Sequence, residues 1–182
     1  MTPPRLRVAT YFRPPFPGAN DDLALGLDAA GHEVRKLGSL DEAASADCIL
    51  VTVPGQELAG VVEKLAGHVR PGQIVVHTSL DHGAEALDAV ELKGAHVAAM
   101  AQVNSALWAV DFLDPAGEAI VNAFAMECHA STIRVQGSLR GPVLNEVLLL
   151  NQIPEHLVGE LEPEALRQLR LLIAFQEDAF EG

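Results

Sequence analysis

The chain has 182 residues, 49% of them hydrophobic, which suffices for one well-buried core and is short for two full domains. Its formal net charge is −13, from 25 acidic and 12 basic residues. This excess of negative charge opposes the counterion release that drives binding to nucleic acid or to an anionic membrane surface. We therefore expect a small-molecule ligand or a protein partner, no nucleic acid and no membrane.

The sequence also lacks the features of an exported or membrane-inserted protein. Its start, MTPPRLRVAT, has no apolar stretch of signal-peptide length, and no apolar run reaches the roughly eighteen residues of a membrane span. The two cysteines, Cys48 and Cys128, suit reduced thiols. These observations predict a cytoplasmic protein.

In the first half of the chain, apolar runs of strand length alternate with stretches of helical spacing. This alternation is typical of βαβ units with a parallel sheet. The run over 47–53 has no internal polar alternation, which predicts a central strand covered by helices on both faces. The predicted strands are 6–12, 32–37, 47–53, 73–78 and 96–99, and the predicted helices are 19–30, 56–68 and 83–90.

The second half is less regular. Strands are predicted over 106–112 and 131–136, with a helix over 115–129 that begins with proline in its first turn. The fold class is therefore α/β, a Rossmann-like doubly wound, mostly parallel sheet of about seven strands. We expect a Rossmann-like domain over 1–138 and a helical extension over 139–182, which either docks onto the domain or forms a dimer contact.

The turn after the first strand departs from a dinucleotide-binding motif. In GxGxxG, the glycines permit a tight turn and a close approach of backbone N–H groups to pyrophosphate. Counting back from the start of the second strand places those positions on Pro15, Pro17 and Asn20. Proline removes a backbone donor, so this turn offers fewer N–H groups to a phosphate.

Two features of the same turn still favour an anion. The helix that begins after Gly18, near Asn20, directs its positive dipole end towards the turn, and Arg13 is within reach of an anion there. The acidic side chains at 21–22 act against it. Phosphate binding and a purely structural turn both remain open.

Basic residues end the second strand, where dinucleotide-binding folds distinguish NAD from NADP. An acidic residue at this point binds the ribose of NAD, and basic residues favour the 2′-phosphate of NADP. The chain has Arg35 and Lys36 here. They predict NADP if a dinucleotide binds, and the alternative is two ordinary solvated cations.

Three segments together resemble a known family: AGHEV at 30–34, ADCILVTVP at 46–54 and RPGQIVVHTS at 70–79. They are similar to the NADP-binding Rossmann proteins of the 6-phosphogluconate-dehydrogenase-like and pyrroline-carboxylate-reductase-like family. Within it, they look most like a group of unknown function with an HTSG-type strand end. The likeness continues more weakly through WAVDFLDPAG at 108–117 to about residue 135.

The resemblance implies an NADP cofactor and a set of residues that contact it. In such proteins the loop after the third strand lies along the ribose, which points to Val53, Pro54 and Gly55. The end of the fourth strand would place Thr78 and Ser79 near the nicotinamide and the substrate. The implied reaction is hydride transfer to a small carbonyl or imine.

The chain departs from this family at two further points. It has AMAQ at 99–102 where relatives commonly have a His-Pro pair, and only 41 residues follow Gly141 where larger relatives append a helical domain that completes the active site and dimerises. A complete cleft would then need a second copy or another protein. We expect a homodimer through the C-terminal helices.

Ser79 and His77 are the candidate catalytic residues. His77 and His82 flank the end of the fourth strand and suit an acid/base pair, although a hydrogen-bonded strand residue is the simpler interpretation of His77. No metal site is expected, because the chain has neither a cysteine-rich spacing nor a helical pair of histidines.

Two functions therefore remain from the sequence. One is an NADP-dependent oxidoreductase, intact or degenerate, acting on a small carbonyl or imine. The other is a non-catalytic Rossmann-like binding or regulatory module that has lost dinucleotide binding, since fold alone does not decide function.

Overall fold

The computed structural model describes residues 5–13, 21–104 and 107–141, which form a seven-stranded sheet with helices on both faces. The strands are β1 (Arg7–Phe12), β2 (Glu33–Lys36), β3 (Cys48–Thr52), β4 (Ile74–His77), β5 (His96–Asn104), β6 (Leu107–Phe112) and β7 (Ser131–Arg134). The helices are α1 (Asp22–Ala29), α2 (Gly55–Leu65), α3 (Asp88–Glu91) and α4 (Pro115–Glu127). Short 3₁₀ turns cover Leu40–Ser45, Ala84–Leu87 and Gly137–Leu139.

The strand order is β2-β1-β3-β4-β5-β6-β7. The first five strands run parallel, β6 is antiparallel to β5, and β7 is parallel to β6. Strand order reverses at β1, because β2 lies on one side of it and β3 on the other. The predicted doubly wound, mostly parallel α/β fold is confirmed, and such a reversal creates the crevice where these folds bind ligands.

Two apolar layers cover the faces of the sheet. One packs α2 and α3 against residues such as Ile49 and Val51, and the other packs α1 and α4 against Cys48 and Leu50. These four consecutive residues of β3 are at most 2% exposed. The unbroken apolar run predicted a strand covered on both faces, and the structure confirms it. Cys48 and Cys128 are both free thiols.

β5 is longer than predicted and extends beyond its neighbour. Pairing with β4 ends at Ala99, level with His77, whereas β5 continues to Asn104 because β6 pairs with it there in the antiparallel sense. At about 3.3 Å per residue, this adds about 16 Å of strand beyond the end of β4. The added part of β5, together with β6 and β7, forms a wall beside the carboxyl ends of the central strands.

The predicted helix over 83–90 is wrong in detail. The structure has the 3₁₀ turn Ala84–Leu87 followed by the single helical turn α3. The Ala84 N–H donates to the Asp111 carboxylate on β6 at 3.1 Å, so a partner distant in sequence determines how this segment starts.

The predicted C-terminal helices and most of the extension over 139–182 lie outside the described residues. No described helix has the length and apolarity needed to cross a bilayer.

α4 packs against the sheet through a glycine. Asp114 caps the helix by accepting a hydrogen bond from the Gly117 N–H at 2.6 Å, and Pro115 occupies the first turn as predicted. A Cβ on Gly117 would lie 2.7 Å from the Val97 carbonyl oxygen and 2.9 Å from the Phe112 Cβ. Glycine therefore allows the close approach of α4 to β5.

Gly117→Ala should lower the free energy of unfolding by about 1–3 kcal/mol, because the added methyl group overpacks this contact. Gly60→Ala is the matched control, since Gly60 lies in α2 with no atom within 4 Å of a Cβ. The control should raise the free energy of unfolding by about 0.5–1 kcal/mol, the usual gain for Gly to Ala in a helix. Urea denaturation followed by circular dichroism measures both. Equal stability of the two variants would contradict the close packing of α4.

Candidate functional site

The carboxyl ends of β1, β3 and β4 meet where the strand order reverses. We call this region the carboxyl edge. The Arg13 N–H, just after β1, donates to the Thr52 carbonyl oxygen at 3.2 Å, and the Thr78 hydroxyl donates to the Thr52 hydroxyl at 2.9 Å. Thr52 is 5% exposed. The edge therefore brings together two residues singled out in the sequence, Arg13 and Thr78, through a threonine that was not.

A serine and a histidine are in contact at the same edge. The Ser79 Oγ lies 3.0 Å from the His82 Nδ1, and both residues are half-buried. Gly55, the first residue of α2, packs against them: a Cβ there would lie 3.0 Å from the His82 Cε1 and 3.4 Å from the Ser79 Oγ. A hydroxyl in contact with an imidazole can relay a proton, so the Ser79–His82 pair has the chemistry of a general acid or base.

The loop that leads into α2 completes this part of the edge. Pro54 precedes the helix with extended backbone, and Val53 is 3% exposed. The structure therefore places the predicted Gly55 next to Ser79, and Val53 and Pro54 directly precede it in the chain. The sequence patterns identified these residues one at a time, whereas the contact with His82 depends on tertiary folding.

His77 is completely buried, and both its ring nitrogens are hydrogen-bonded. Nε2 lies 2.8 Å from the Gly83 carbonyl oxygen, to which it must donate, and Nδ1 accepts from the Ser79 N–H at 3.1 Å. Burial, opposed by the Gly83 hydrogen bond, lowers the pKa of His77 to about 3. His77 is therefore a neutral residue that holds the 79–83 loop, and neither ring nitrogen is left for a substrate.

Arg13 is paired with a carboxylate of α2. Its Nε lies 3.7 Å from the Glu57 Oε2, and both side chains are about half exposed. The Tyr11 hydroxyl, with Glu57 adding to it, raises the pKa of Arg13. An exposed pair of this kind contributes about 0–1 kcal/mol, so an anionic ligand can replace Glu57 at little cost.

The two cations at the end of β2 lie in different surroundings. The Lys36 Nζ lies 5.9 Å from the centre of the Phe12 ring, above the end of β1. Arg35 instead donates to the Ser45 hydroxyl and, at 3.5 Å, to the Glu42 carbonyl oxygen. Adjacent strand residues point to opposite faces, which separates the two side chains. Lys36 is thus beside the carboxyl edge, and Arg35 supports the turn Leu40–Ser45.

Two predicted site residues, Gly18 and Asn20, lie in the segment 14–20, outside the described residues. Two other residues were missed by sequence reasoning. Asp111 on β6 is 4% exposed and Arg140 is fully buried, and both contact the loop that follows β4. A single acidic residue inside the apolar run WAVDFL was the only local signal for Asp111, and Arg140 had none.

A separate cavity of about 350 Å³ lies at the opposite edge of the sheet. Two of its polar side chains, His32 and Arg7, already have partners. The His32 Nδ1 accepts from the Leu6 N–H and its Nε2 lies 2.8 Å from Glu127, while Arg7 forms a two-point pair with Asp47 that lowers the pKa of Asp47 to about 2. We therefore place the candidate site at the carboxyl edge.

In the described residues, no group of three or more His, Cys, Asp or Glu could hold a metal ion.

Comparisons with known proteins agree with this architecture. A family model described as a Rossmann-like domain matches residues 29–102, from the end of α1 through most of β5. No curated protein sequence is significantly similar to the chain. The Rossmann-like fold expected from the sequence is confirmed, and both the narrower dehydrogenase-like and reductase-like family and its HTSG-type group stay predictions.

Solved structures share the fold at low sequence identity. The chain is similar to 3-hydroxyisobutyrate dehydrogenase from Mycobacterium tuberculosis (TM-score 0.62, 17% identity, 80% of this chain and 60% of that one). It is also similar to a pyrroline-5-carboxylate reductase from Coxiella burnetii, with a TM-score of 0.58 and 13% identity over 98% of this chain and 81% of that one. A third similar structure is that of a Mycobacterium avium 104 protein described as an oxidoreductase, with a TM-score of 0.57 and 18% identity over 81% of this chain and 63% of that one. The chain spans less than two thirds of the two mycobacterial proteins, and these likenesses establish the fold alone.

The burial of His77 predicts a loss of stability in mild acid. An unfolded histidine binds a proton near pH 6.5, whereas folded His77 does so only near pH 3. Between these values the unfolded chain holds the extra proton, so the free energy of unfolding falls as pH falls below 6.5, by up to about 1.4 kcal/mol per pH unit.

Urea denaturation between about pH 4.5 and 6.5 measures this slope. His77→Gln should flatten it, because the titrating group is gone. The exposed His68 offers a control, and His68→Gln should retain the slope of the unmodified protein. An unchanged slope in His77→Gln would show that folded His77 takes up its proton near the ordinary pH.

Proposed function

We propose that the protein is an oxidoreductase that binds NADP along the carboxyl edge and acts on a small carbonyl or imine. The observation that carries the proposal is the contact of Ser79 with His82 and Gly55 at the point where strand order reverses. Open α/β sheets bind their ligands at this point. The names of the similar structures, which include a dehydrogenase and a reductase, support the same class of reaction.

The described residues fit a dinucleotide at this edge. Lys36 is near the end of β1 and would contact a 2′-phosphate, which Arg35 would reach only after release from the Ser45 hydroxyl. Arg13 would contact a phosphate after release from Glu57. The Lys36 ammonium places a positive charge beside this edge in a chain of net charge −13, which favours an anionic ligand there. The loop of Val53, Pro54 and Gly55 would line the ribose. Gly18 and Asn20 would contribute the start of the helix beyond the first turn.

The chemistry divides between the cofactor and the chain. A reduced nicotinamide supplies the hydride to the substrate carbon. Ser79 donates a hydrogen bond to the substrate oxygen or nitrogen, and His82 replaces the proton that Ser79 passes on. Thr78, fixed by Thr52, orients the ligand beside them. His77 contributes by holding the loop and takes no proton near neutral pH.

A non-catalytic binding module remains the second candidate. Arg13 is already paired with Glu57, and the turn after β1 has prolines where a dinucleotide site has glycines. Both features weaken phosphate binding. A module of this kind would bind another small ligand at the carboxyl edge and would perform no hydride transfer.

Calorimetric titration with NADPH and NADH separates the two candidates. The oxidoreductase requires binding heat and an increase in Tm with NADPH, since a ligand of the native state stabilises it by mass action. Arg35→Ala combined with Lys36→Ala should then weaken NADPH by about tenfold or more and NADH by much less, because a 2′-phosphate contact is charge-assisted. Lys93→Ala, at the opposite edge of the sheet, is the control. Absence of both heat and a Tm shift at millimolar nucleotide would rule out the oxidoreductase.

We further propose that the protein is a homodimer through the helices predicted in its extension over 139–182, so that a second copy contributes to the cleft. The support is the family resemblance of the sequence, since larger relatives dimerise through a helical domain that follows the Rossmann domain. Sedimentation equilibrium should give about twice the 19.3 kDa chain mass. A mass of one chain at high concentration would contradict the dimer.

A further inference from the structure

The segment after β7 crosses to the carboxyl edge and buries an arginine there. Arg140, 0% exposed, donates to three backbone carbonyl oxygens: Ser79 at 3.4 Å, Ala109 at 3.2 Å and Val135 at 3.4 Å. These carbonyls belong to the loop after β4, to β6 and to the residue that follows β7. One side chain therefore ties three parts of the chain together, and Ser79 is one of them.

Asp111 joins the same parts from the other side. Its Oδ2 accepts hydrogen bonds from the Ala84 N–H at 3.1 Å and from the Gly137 N–H at 3.3 Å. The first donor lies in the turn after the 79–83 loop, and the second lies in the segment that carries Arg140. A buried carboxylate with two backbone donors binds strongly, because the hydrogen bonds are charge-assisted.

Glycines let the two segments approach closely. A Cβ on Gly83 would lie 2.5 Å from the Asp111 Oδ2 and 2.6 Å from the Gly137 Cα. A Cβ on Gly137 would lie 2.8 Å from the Glu85 Oε1. Neither position has room for a side chain, so the loop after β4 and the segment after β7 form one tightly packed unit.

The buried guanidinium is a costly way to stabilise this unit. Burial lowers the pKa of Arg140 to about 10, and the charges of Asp111, Glu85 and Asp81 oppose that shift. The side chain stays charged at neutral pH, and its Nε has no hydrogen-bond partner among the described residues. Replacing a buried charged group by apolar residues of similar size is often neutral or stabilising, so stability alone does not explain a buried arginine. The role of Arg140 is therefore better explained by the segments that it holds in place than by a gain in stability.

We propose that Arg140 and Asp111 form a clamp that positions the Ser79–His82 pair at the carboxyl edge. Arg140 holds the Ser79 carbonyl, and Asp111 holds the turn just after His82, so the loop between them is fixed at both ends. Neither residue needs to touch a ligand, so both are positioning residues. The ligand-binding part of this inference rests on the proposed function, and the clamp itself does not.

Amide hydrogen exchange of the nucleotide-free protein tests the clamp. Arg140→Met should speed exchange at the Ser79 and Ala84 amides by tenfold or more, while Leu50 in β3 stays within twofold. A general loss of stability would speed all three amides alike. Arg70→Met is the matched control, because Arg70 lies at the opposite edge of the sheet, where it donates to the Ala46 carbonyl oxygen at 3.5 Å.

The imidazole of His82 reports on the clamp directly. In ¹⁵N-histidine spectra, Arg140→Met should shift the His82 Nδ1 resonance as the contact with the Ser79 Oγ loosens, and Arg70→Met should leave it in place. An unchanged His82 resonance together with unchanged Ser79 exchange in folded Arg140→Met would overturn the clamp. So would exchange that rises equally at Leu50.

A milder variant covers the case in which Arg140→Met does not fold. Arg140→Lys keeps the charge but cannot reach three carbonyls in a fixed fork. It should speed exchange at Ser79 and Ala84 several-fold with Leu50 unchanged, and no change at these amides would overturn the clamp.

Nucleotide binding then separates the two proposals. If the unmodified protein binds NADPH, Arg140→Met should weaken the binding at least fivefold and Arg70→Met less than twofold. Equal affinity of Arg140→Met and the unmodified protein would overturn the positioning role. If the unmodified protein binds no nucleotide, the proposed function fails, and the exchange and His82 results still decide the clamp.

Discussion

The burial of β3 on both faces is the constraint on which the rest of the structure depends. Its residues pack against α2 on one side and against α1 and α4 on the other, and its backbone pairs with β1 and β4. A strand in this position cannot shift its register without exposing apolar side chains and breaking two ladders of hydrogen bonds. The ends of β1, β3 and β4 are therefore held in register, and Thr52 can bond with groups of both neighbours.

The candidate site combines the ends of these strands with the 79–83 loop, which is held by hydrogen bonds from buried polar side chains. Thr78 and Thr52 are placed by strand register alone, whereas Ser79 and His82 depend on hydrogen bonds to His77, Asp111 and Arg140. Buried polar residues thus surround the half-exposed ones. Functional groups held in this way keep their geometry without a ligand, which lowers the cost of binding one.

The local pattern of apolar and turn residues was sufficient to predict most of the strands and turns from the sequence. The apolar run over 47–53 and the turn residues Pro54, Pro71 and Gly72 are short-range signals, because strand burial and chain reversal are decided by a few neighbouring residues. Contacts between distant residues were not predictable. Arg140 and Ser79 are 61 positions apart, and β5 runs to Asn104 only because β6 pairs with it. The helix expected over 83–90 was wrong for the same reason.

The reversal of direction between β5 and β6 makes the two ends of the carboxyl edge different. On the β5 side, a strand extension about 16 Å long stands above the ends of the central strands, while on the β2 side the described sheet ends with Lys36. Within the described chain, a molecule lying across the edge therefore meets a barrier at one end and a positive charge at the other. A ligand with one negatively charged end has a single favourable direction, so the sheet itself distinguishes head from tail.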